Sequence, residues 1–189
     1  MRGIVLLALL PSLLGQDARQ EIVYKMASKR NVLVTNEVSM GSGVIVKTGL
    51  VLTNNHILVM GLNTRVNGKL AELLARNTQW DLALLKVETV KVPDLRFDTK
   101  PLLLKQVFYV ANPHGHFGLV SPGHILFADE DHICTNTLGM KGFSGGGLYN
   151  LYGELVGLNV GMEGEDGIGY NLPVHIPAAR IKKFMEVMK

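Results

Sequence analysis

The 189-residue sequence is poor in cysteine, aromatic residues and charge, and each scarcity closes off a class of protein. Its single cysteine, Cys134, can form no internal disulfide, so the fold holds without covalent cross-links. In the setting Asp131-His132-Ile133-Cys134-Thr135 that thiol reads as a small buried apolar group, because a nucleophile would need an anion hole and nothing around it supplies one. Aromatic residues make up 6% of the chain, and the 19 basic residues are scattered, adjacent only at Lys29-Arg30 and Lys182-Lys183. There is thus no stacking platform for bases and no basic patch, and with a net charge of +3 nucleic acid is not expected as a partner. No apolar run reaches the roughly 20 residues of a spanning helix.

The run Ile4–Leu14, preceded by Arg2 and followed by the small and polar Gly15-Gln16-Asp17-Ala18, has the form of a targeting segment. Residues 1–18 are expected to be a signal peptide, cleaved after Gly15 or Ala18, with an uncleaved N-terminal anchor as the alternative. An exported protein follows, periplasmic or secreted, with membrane contact only if the segment stays attached. The lack of paired cysteines favours a bacterial envelope, or a phage product acting there, over an animal secreted protein.

What the chain has is apolar material, 47% of residues, arranged mostly in short β-rich runs. Gln20–Arg30 places Ile22, Val23 and Met26 on one helical face. Runs at Val32–Thr35, Gly43–Lys47, Leu50–Thr53, Lys69–Ala75 and Leu82–Val87 follow, punctuated by turn residues, with Asn67-Gly68 a strong hairpin signal. The pattern lapses between Glu88 and Pro101, a linker. A second series follows at Gln106–Ala111, Leu119–Ala128, His132–Asn136, Gly146–Asn150, Leu155–Val160 and Ile168–Leu172. Pro177 opens a terminal helix with Ile181, Phe184, Met185 and Met188 on its inner face. The expected fold is all-β: two small antiparallel barrels, about 31–90 and 101–175, closed by a helix over 177–188, the whole forming one unit over 19–189.

Three local patterns carry chemistry. Gly142-Phe143-Ser144-Gly145-Gly146-Gly147 would expose a serine on a tight turn, with backbone N–H groups free to face an oxyanion. No Gly-Lys-Ser/Thr follows, so it is not a phosphate loop, and strand-like residues follow where a nucleophile elbow would have a helix. Leu50-Val51-Leu52-Thr53-Asn54-Asn55-His56 puts a histidine just past a strand end, a firm place for a general base. Trp80-Asp81-Leu82-Ala83-Leu84-Leu85 opens an apolar strand with an aspartate, whose partly buried carboxylate needs a donor such as a histidine Nδ1–H. Each residue alone is ordinary. Together they run His56, Asp81, Ser144, the chain order of one type of serine-protease triad, and they divide between the two strand series.

With these residues in hand the chain resembles the trypsin-like proteases of the HtrA/Deg group. The matching stretches are Gly41-Ser42-Gly43-Val44-Ile45-Val46, Leu52 to His56, Asp81 to Val87, Asn112-Pro113, Gly142 to Gly146, Gly153-Glu154-Leu155-Val156-Gly157 and Gly167-Ile168-Gly169-Tyr170, in the family's order. The resemblance implies a chymotrypsin-like fold of two six-stranded barrels and endopeptidase activity on proteins or peptides without a cofactor. It also implies the triad above and an oxyanion hole made by the N–H groups of Gly142 and Ser144. By the family's register Leu138, Val160, Gly161 and Met162 line the primary specificity pocket. None is acidic, so an apolar residue, not Arg or Lys, is expected on the acyl side of the cut bond, with only small residues accepted if Met162 intrudes.

The departures are instructive. Nothing after the terminal helix provides a PDZ domain, so a protease domain alone is expected, and short loops speak against a cage-like or trimeric assembly. Phe143 stands where the family usually has a small polar residue, which argues against activation by capture of a new N-terminus. His114 and His116 with His124 suggest a metal site only weakly, since no carboxylate accompanies them at a fixed interval, and no metal is expected. Lys141 is open to a solvated or a substrate-contacting reading. The competing function is a protease-like module that binds or holds unfolded chains with little or no catalysis.

Overall fold

The computed structural model describes residues 16–100, 102–112, 118–140, 142–163 and 172–187. A first helix, α1 (Gln16–Ser28), leads into β1 (Asn31–Thr35), β2 (Met40–Lys47) and β3 (Leu50–Thr53). A single 3-10 turn, Asn55–Ile57, follows, then β4 (Arg65–Val66), β5 (Lys69–Leu70), β6 (Glu72–Asn77) and β7 (Leu82–Lys86). The second half holds β8 (Gln106–Ala111), β9 (Leu119–Ala128), β10 (Ile133–Thr135), β11 (Gly147–Asn150), β12 (Leu155–Glu163), β13 (Leu172–Pro177) and the closing helix α2 (Ala178–Glu186).

The second half is a closed antiparallel barrel in the order β10-β13-β12-β11-β8-β9, the ring completed by β9 pairing with β10. The first half is a seven-stranded antiparallel sheet in the order β5-β4-β1-β2-β3-β7-β6. Its edge strands β5 and β6 are consecutive in the chain, separated only by Ala71, whose N–H bonds the Thr64 carbonyl at 2.9 Å. The sheet must therefore curl until its edges meet through the backbone. Counted as one bent strand, β5 and β6 give the expected six, and the single strand expected over Lys69–Ala75 is broken at that bend. The Asn67-Gly68 hairpin joins β4 and β5 with both residues at positive φ, 47° and 81°.

Three apolar clusters explain the continuous hydrophobic runs. Ile45, Val51 and Leu85 point into the first sheet, while Val107, Tyr109, Leu148 and Val156 point into the barrel. Their neighbours Val44, Val46, Leu52, Leu84, Phe108, Val110, Tyr149 and Leu158 point outward, into a third cluster between the halves. Strands buried on both faces cannot show polar alternation. The two helices close this middle layer: α1 contributes Val23 and Ala27, and α2 contributes Ile181 and Phe184. On α1 the buried seam is thus Val23–Ala27, with Ile22 and Met26 only partly covered. The 88–101 segment is stitched down by Leu95 N–H to Val46 O and Asp98 N–H to Leu155 O, both 2.9 Å, and by the buried Arg30 guanidinium on Pro93 O at 2.8 Å.

His175, on β13, is fully buried, with Nε2 3.1 Å from Thr135 Oγ1 and no partner for Nδ1 among the described residues. Burial lowers its pKa from the usual 6.5 to about 3, since a charged ring would leave a buried N–H without an acceptor. The unfolded chain binds the proton first, so stability is full above about pH 6.5 and declines as pH falls toward 3, a loss on the order of 4 kcal/mol across the window. Melts at pH 7.5, 6, 5 and 4.5 are expected to fall steadily for the wild type and more shallowly for His175→Asn; parallel profiles would show that another group sets the acid limit.

Candidate active site

The turn between β6 and β7 places Asp81. Asn77 Oδ1 accepts the Trp80 N–H at 2.8 Å, and Asp81 follows with φ of 52°, a left-handed conformation that aspartate tolerates better than most residues. From behind, α2 packs two cations on Trp80, with the Arg180 guanidinium 5.4 Å and the Lys183 Nζ 5.6 Å from its ring centroid.

Asp81 then grips Asn54, Asn55 and His56 through four hydrogen bonds. Its carbonyl accepts the Asn55 N–H at 3.2 Å and Asn54 Nδ2 at 3.1 Å. Its carboxylate accepts the His56 N–H on Oδ1 at 2.8 Å and His56 Nδ1 on Oδ2 at 2.6 Å. An ionised carboxylate only accepts, so Nδ1 carries the proton and Nε2 keeps its lone pair. The His56 side chain is 47% exposed and that of Asp81 21%, so the imidazole faces solvent from a sheltered support.

Ser144 lies half-buried on a turn with Gly142 at φ 87° and Gly145 at φ 82°. Its neighbours commit their N–H groups: Phe143 to Met140 O at 3.2 Å, Gly145 to Asn159 O at 2.9 Å and Gly146 to Phe143 O at 3.0 Å. The N–H groups of Gly142 and Ser144 have no acceptor among the described residues. The turn thus carries two backbone donors that no described residue takes up.

The turn docks directly on the first half. Ser42 N–H donates to Ser144 O at 2.7 Å, and Ser42 O in turn accepts Thr53 Oγ1 at 2.7 Å, three residues before His56. The approach is so close that a Cβ on Gly145 would strike the Ser42 carbonyl and lie 2.7 Å from Thr53 Oγ1. A Cβ on Gly41 would strike Ile57 and come within 3.0 Å of Ser144 O.

The residues expected to line the specificity pocket are partly together. Leu138 is 58% exposed, its N–H held by Ser121 Oγ at 2.6 Å. Val160 leans on the middle cluster, and Gly161 faces open space. Met162 crosses to Gly139, where an added Cβ would meet its Sδ at 2.8 Å. Ser42 and Thr53 stand inside the Gly41 to Val46 and Leu50 to His56 motifs, and Gly139 beside Leu138, but nothing local signals their long-range contacts. Lys141, His114, His116 and the Gly167 to Tyr170 stretch lie outside the described residues, as does the leader through Gly15. His124 sits exposed on β9, and the described residues hold no cluster suited to a metal ion.

A profile of the trypsin-like peptidase domain matches residues 41–158, more than half the chain. The probable periplasmic serine protease do/HhoA-like of Haemophilus influenzae is 32% identical, the match covering 84% of this chain and 38% of that protein. The periplasmic pH-dependent serine endoprotease DegQ of Escherichia coli is 34% identical, over 71% of this chain and 34% of that one. This chain spans 35–40% of the length of the first such relatives. Among solved structures, the serine endoprotease from Yersinia pestis superposes with a TM-score of 0.78 at 26% identity, covering 89% of this chain and 66% of that one. The HtrA-type protease AlgW shares the fold, with a TM-score of 0.77 at 23% identity over 89% of this chain and 63% of that one. By its domain profile, its DegP- and DegQ-type relatives and its two-part β fold, this chain belongs to the trypsin-like peptidase family, in its HtrA/Deg group.

Proposed function

We propose that this chain is a serine endopeptidase that hydrolyses peptide bonds in proteins or peptides through Ser144, His56 and Asp81. The observation that carries the reading is the double grip of the Asp81 carboxylate on His56, at the backbone N–H and at Nδ1, on the half against which the Ser144 turn docks. His56 Nε2 takes the Ser144 Oγ proton as Oγ attacks the substrate carbonyl carbon. The tetrahedral oxyanion is held by the Gly142 and Ser144 N–H groups. The intermediate collapses, the C–N bond breaks, and His56 returns the proton to the leaving amine. Water then attacks the acyl-enzyme, again with His56 as base, and releases the acid and Ser144. Asp81 holds the imidazole in the useful tautomer throughout, and no step calls for a cofactor.

The primary pocket is read as small and apolar. Met162 lies over Gly139 and shortens the space between Leu138 and the Val160–Met162 edge, and none of these residues carries a charge to pair with Arg or Lys. Export to the cell envelope is supported by the leader-like residues 1–18 and by relatives described as periplasmic.

A fluorophosphonate probe should label the folded wild type at Ser144 and leave Ser144→Ala untouched. Peptidase turnover should fall by about 10⁶-fold in Ser144→Ala and about 10⁴-fold in Asp81→Asn, whose amide no longer fixes the tautomer. A folded wild type that binds unfolded chains but takes no label would instead favour the non-catalytic binding module. Met162→Ala is expected to raise kcat/KM for Leu or Phe at the acyl position about 10-fold relative to Ala; an unchanged preference places the pocket elsewhere. N-terminal sequencing of the protein recovered from an expressing cell's envelope is expected to start at Gln16 or Arg19, and a start at Met1 would mean a retained anchor.

A further inference from the structure

Phe143 sits between the glycine and the serine of the nucleophile turn, yet its side chain is buried inside the second barrel. Its ring lies 5.1 Å from that of Tyr109, at an angle of 51°. The Tyr109 hydroxyl donates a hydrogen bond to the Phe143 carbonyl, which also accepts the Gly146 N–H at 3.0 Å. Tyr109 is held on every side. It is fully buried on β8, its ring meets His175 edge-on at 5.6 Å, and its hydroxyl lies so close to Gly146 that a methyl group there would not fit. Burial pushes the phenol pKa well above its ordinary value, so the hydroxyl remains a donor at any working pH.

Peptide geometry gives this contact a consequence. The described chain has no cis peptide, and in a trans peptide the C=O and the following N–H point in opposite directions. Drawing the Phe143 carbonyl inward therefore aims the Ser144 N–H outward, to the side where an oxyanion would form. Turning that peptide over would strip the carbonyl of two donors and leave a buried phenol without an acceptor, which proteins rarely tolerate.

We propose that Tyr109 is a positioning residue for the anion hole: its hydroxyl, with Phe143 as the plug that brings the carbonyl within reach, fixes the direction of the Ser144 N–H. One of the two donors of the hole is then set before substrate arrives, with no separate event needed to turn that peptide. This inference rests on the serine-endopeptidase reading above.

Tyr109→Phe in the full chain removes the hydroxyl and keeps the ring. The expected result is a kcat about 10-fold lower with KM unchanged, and an equal loss of affinity for a peptide aldehyde, whose Ser144 adduct places an oxygen anion in the hole. Affinity for the matching peptide acid, which makes no adduct, should hold. General loosening of the fold would move all three together, so a folded Tyr109→Phe that keeps its aldehyde affinity, or loses peptide-acid affinity in step, overturns the proposal. If Tyr109→Phe does not fold, Phe143→Leu, which keeps an apolar plug but gives up the ring contact, is expected to show the same split more weakly, and its absence in the folded variant is equally decisive. Fluorophosphonate labelling of the wild type separates the two levels. No label at Ser144 brings down the enzyme reading and this inference together, whereas a labelled wild type with an indifferent Tyr109→Phe brings down this inference alone.

Discussion

The hydrogen bond from Ser42 N–H to Ser144 O ties the serine's own backbone to the opposite half of the molecule, and most of the site is arranged to permit it. Ser42 sits on β2, paired with Leu33 of β1, so the first sheet holds it rigidly. Gly41 and Gly145 flank the contact because a Cβ at either would collide across it. Thr53 takes up the Ser42 carbonyl, and the Ser42 hydroxyl accepts the Asn112 N–H at 2.8 Å while reaching Gly142 O at 3.3 Å. One residue of the first half thus touches backbone on both sides of Phe143.

The apolar layer between the halves holds that contact in register. Phe108 and Tyr149 stack there at 5.7 Å, and both helices contribute to the same cluster. This layer explains what the sequence disclosed and what it hid. Runs such as Val107-Phe108-Tyr109-Val110-Ala111 identified strands readily, because two-sided burial demands apolar residues throughout. The same property concealed which residue faces which cluster. β4 was missed since Arg65-Val66 is too short to carry a period. The last strand, expected at Ile168–Leu172, overlaps the described residues only at Leu172, and β13 runs from there to Pro177. In the barrel β10 pairs with β13 only at Val174 and His175, so Pro173 and Pro177 stand where β13 has a neighbour on one side alone.

The same division runs through the site. His56, Asp81 and Ser144 stand out in the sequence because the chemistry proposed for them demands particular residue types in a particular order. Their supports do not. Tyr109 looks like one more apolar strand residue, and only folding brings it to a carbonyl 34 positions away. Asp81 gave no sign of its left-handed backbone, though that conformation accompanies both a carbonyl and a carboxylate turned onto the same three residues, Asn54 to His56.

These supports also separate the proposed functions spatially. The base and its carboxylate belong wholly to the first half, held by β3, β7 and the turn between β6 and β7. The residues proposed for the anion hole and the pocket edge belong to the second, held by the barrel interior and β12. Neither half contains a working site, and each can keep its own geometry while the other is disturbed. What the pair requires is a fixed relative placement, to which the Ser42–Ser144 backbone hydrogen bond, the Ser42 hydroxyl, the buried Asn31 Nδ2 to Asn112 Oδ1 bond at 2.9 Å and the shared apolar layer all contribute. Loosening that layer would shift the nucleophile from its base with every local hydrogen bond of the triad's supports intact.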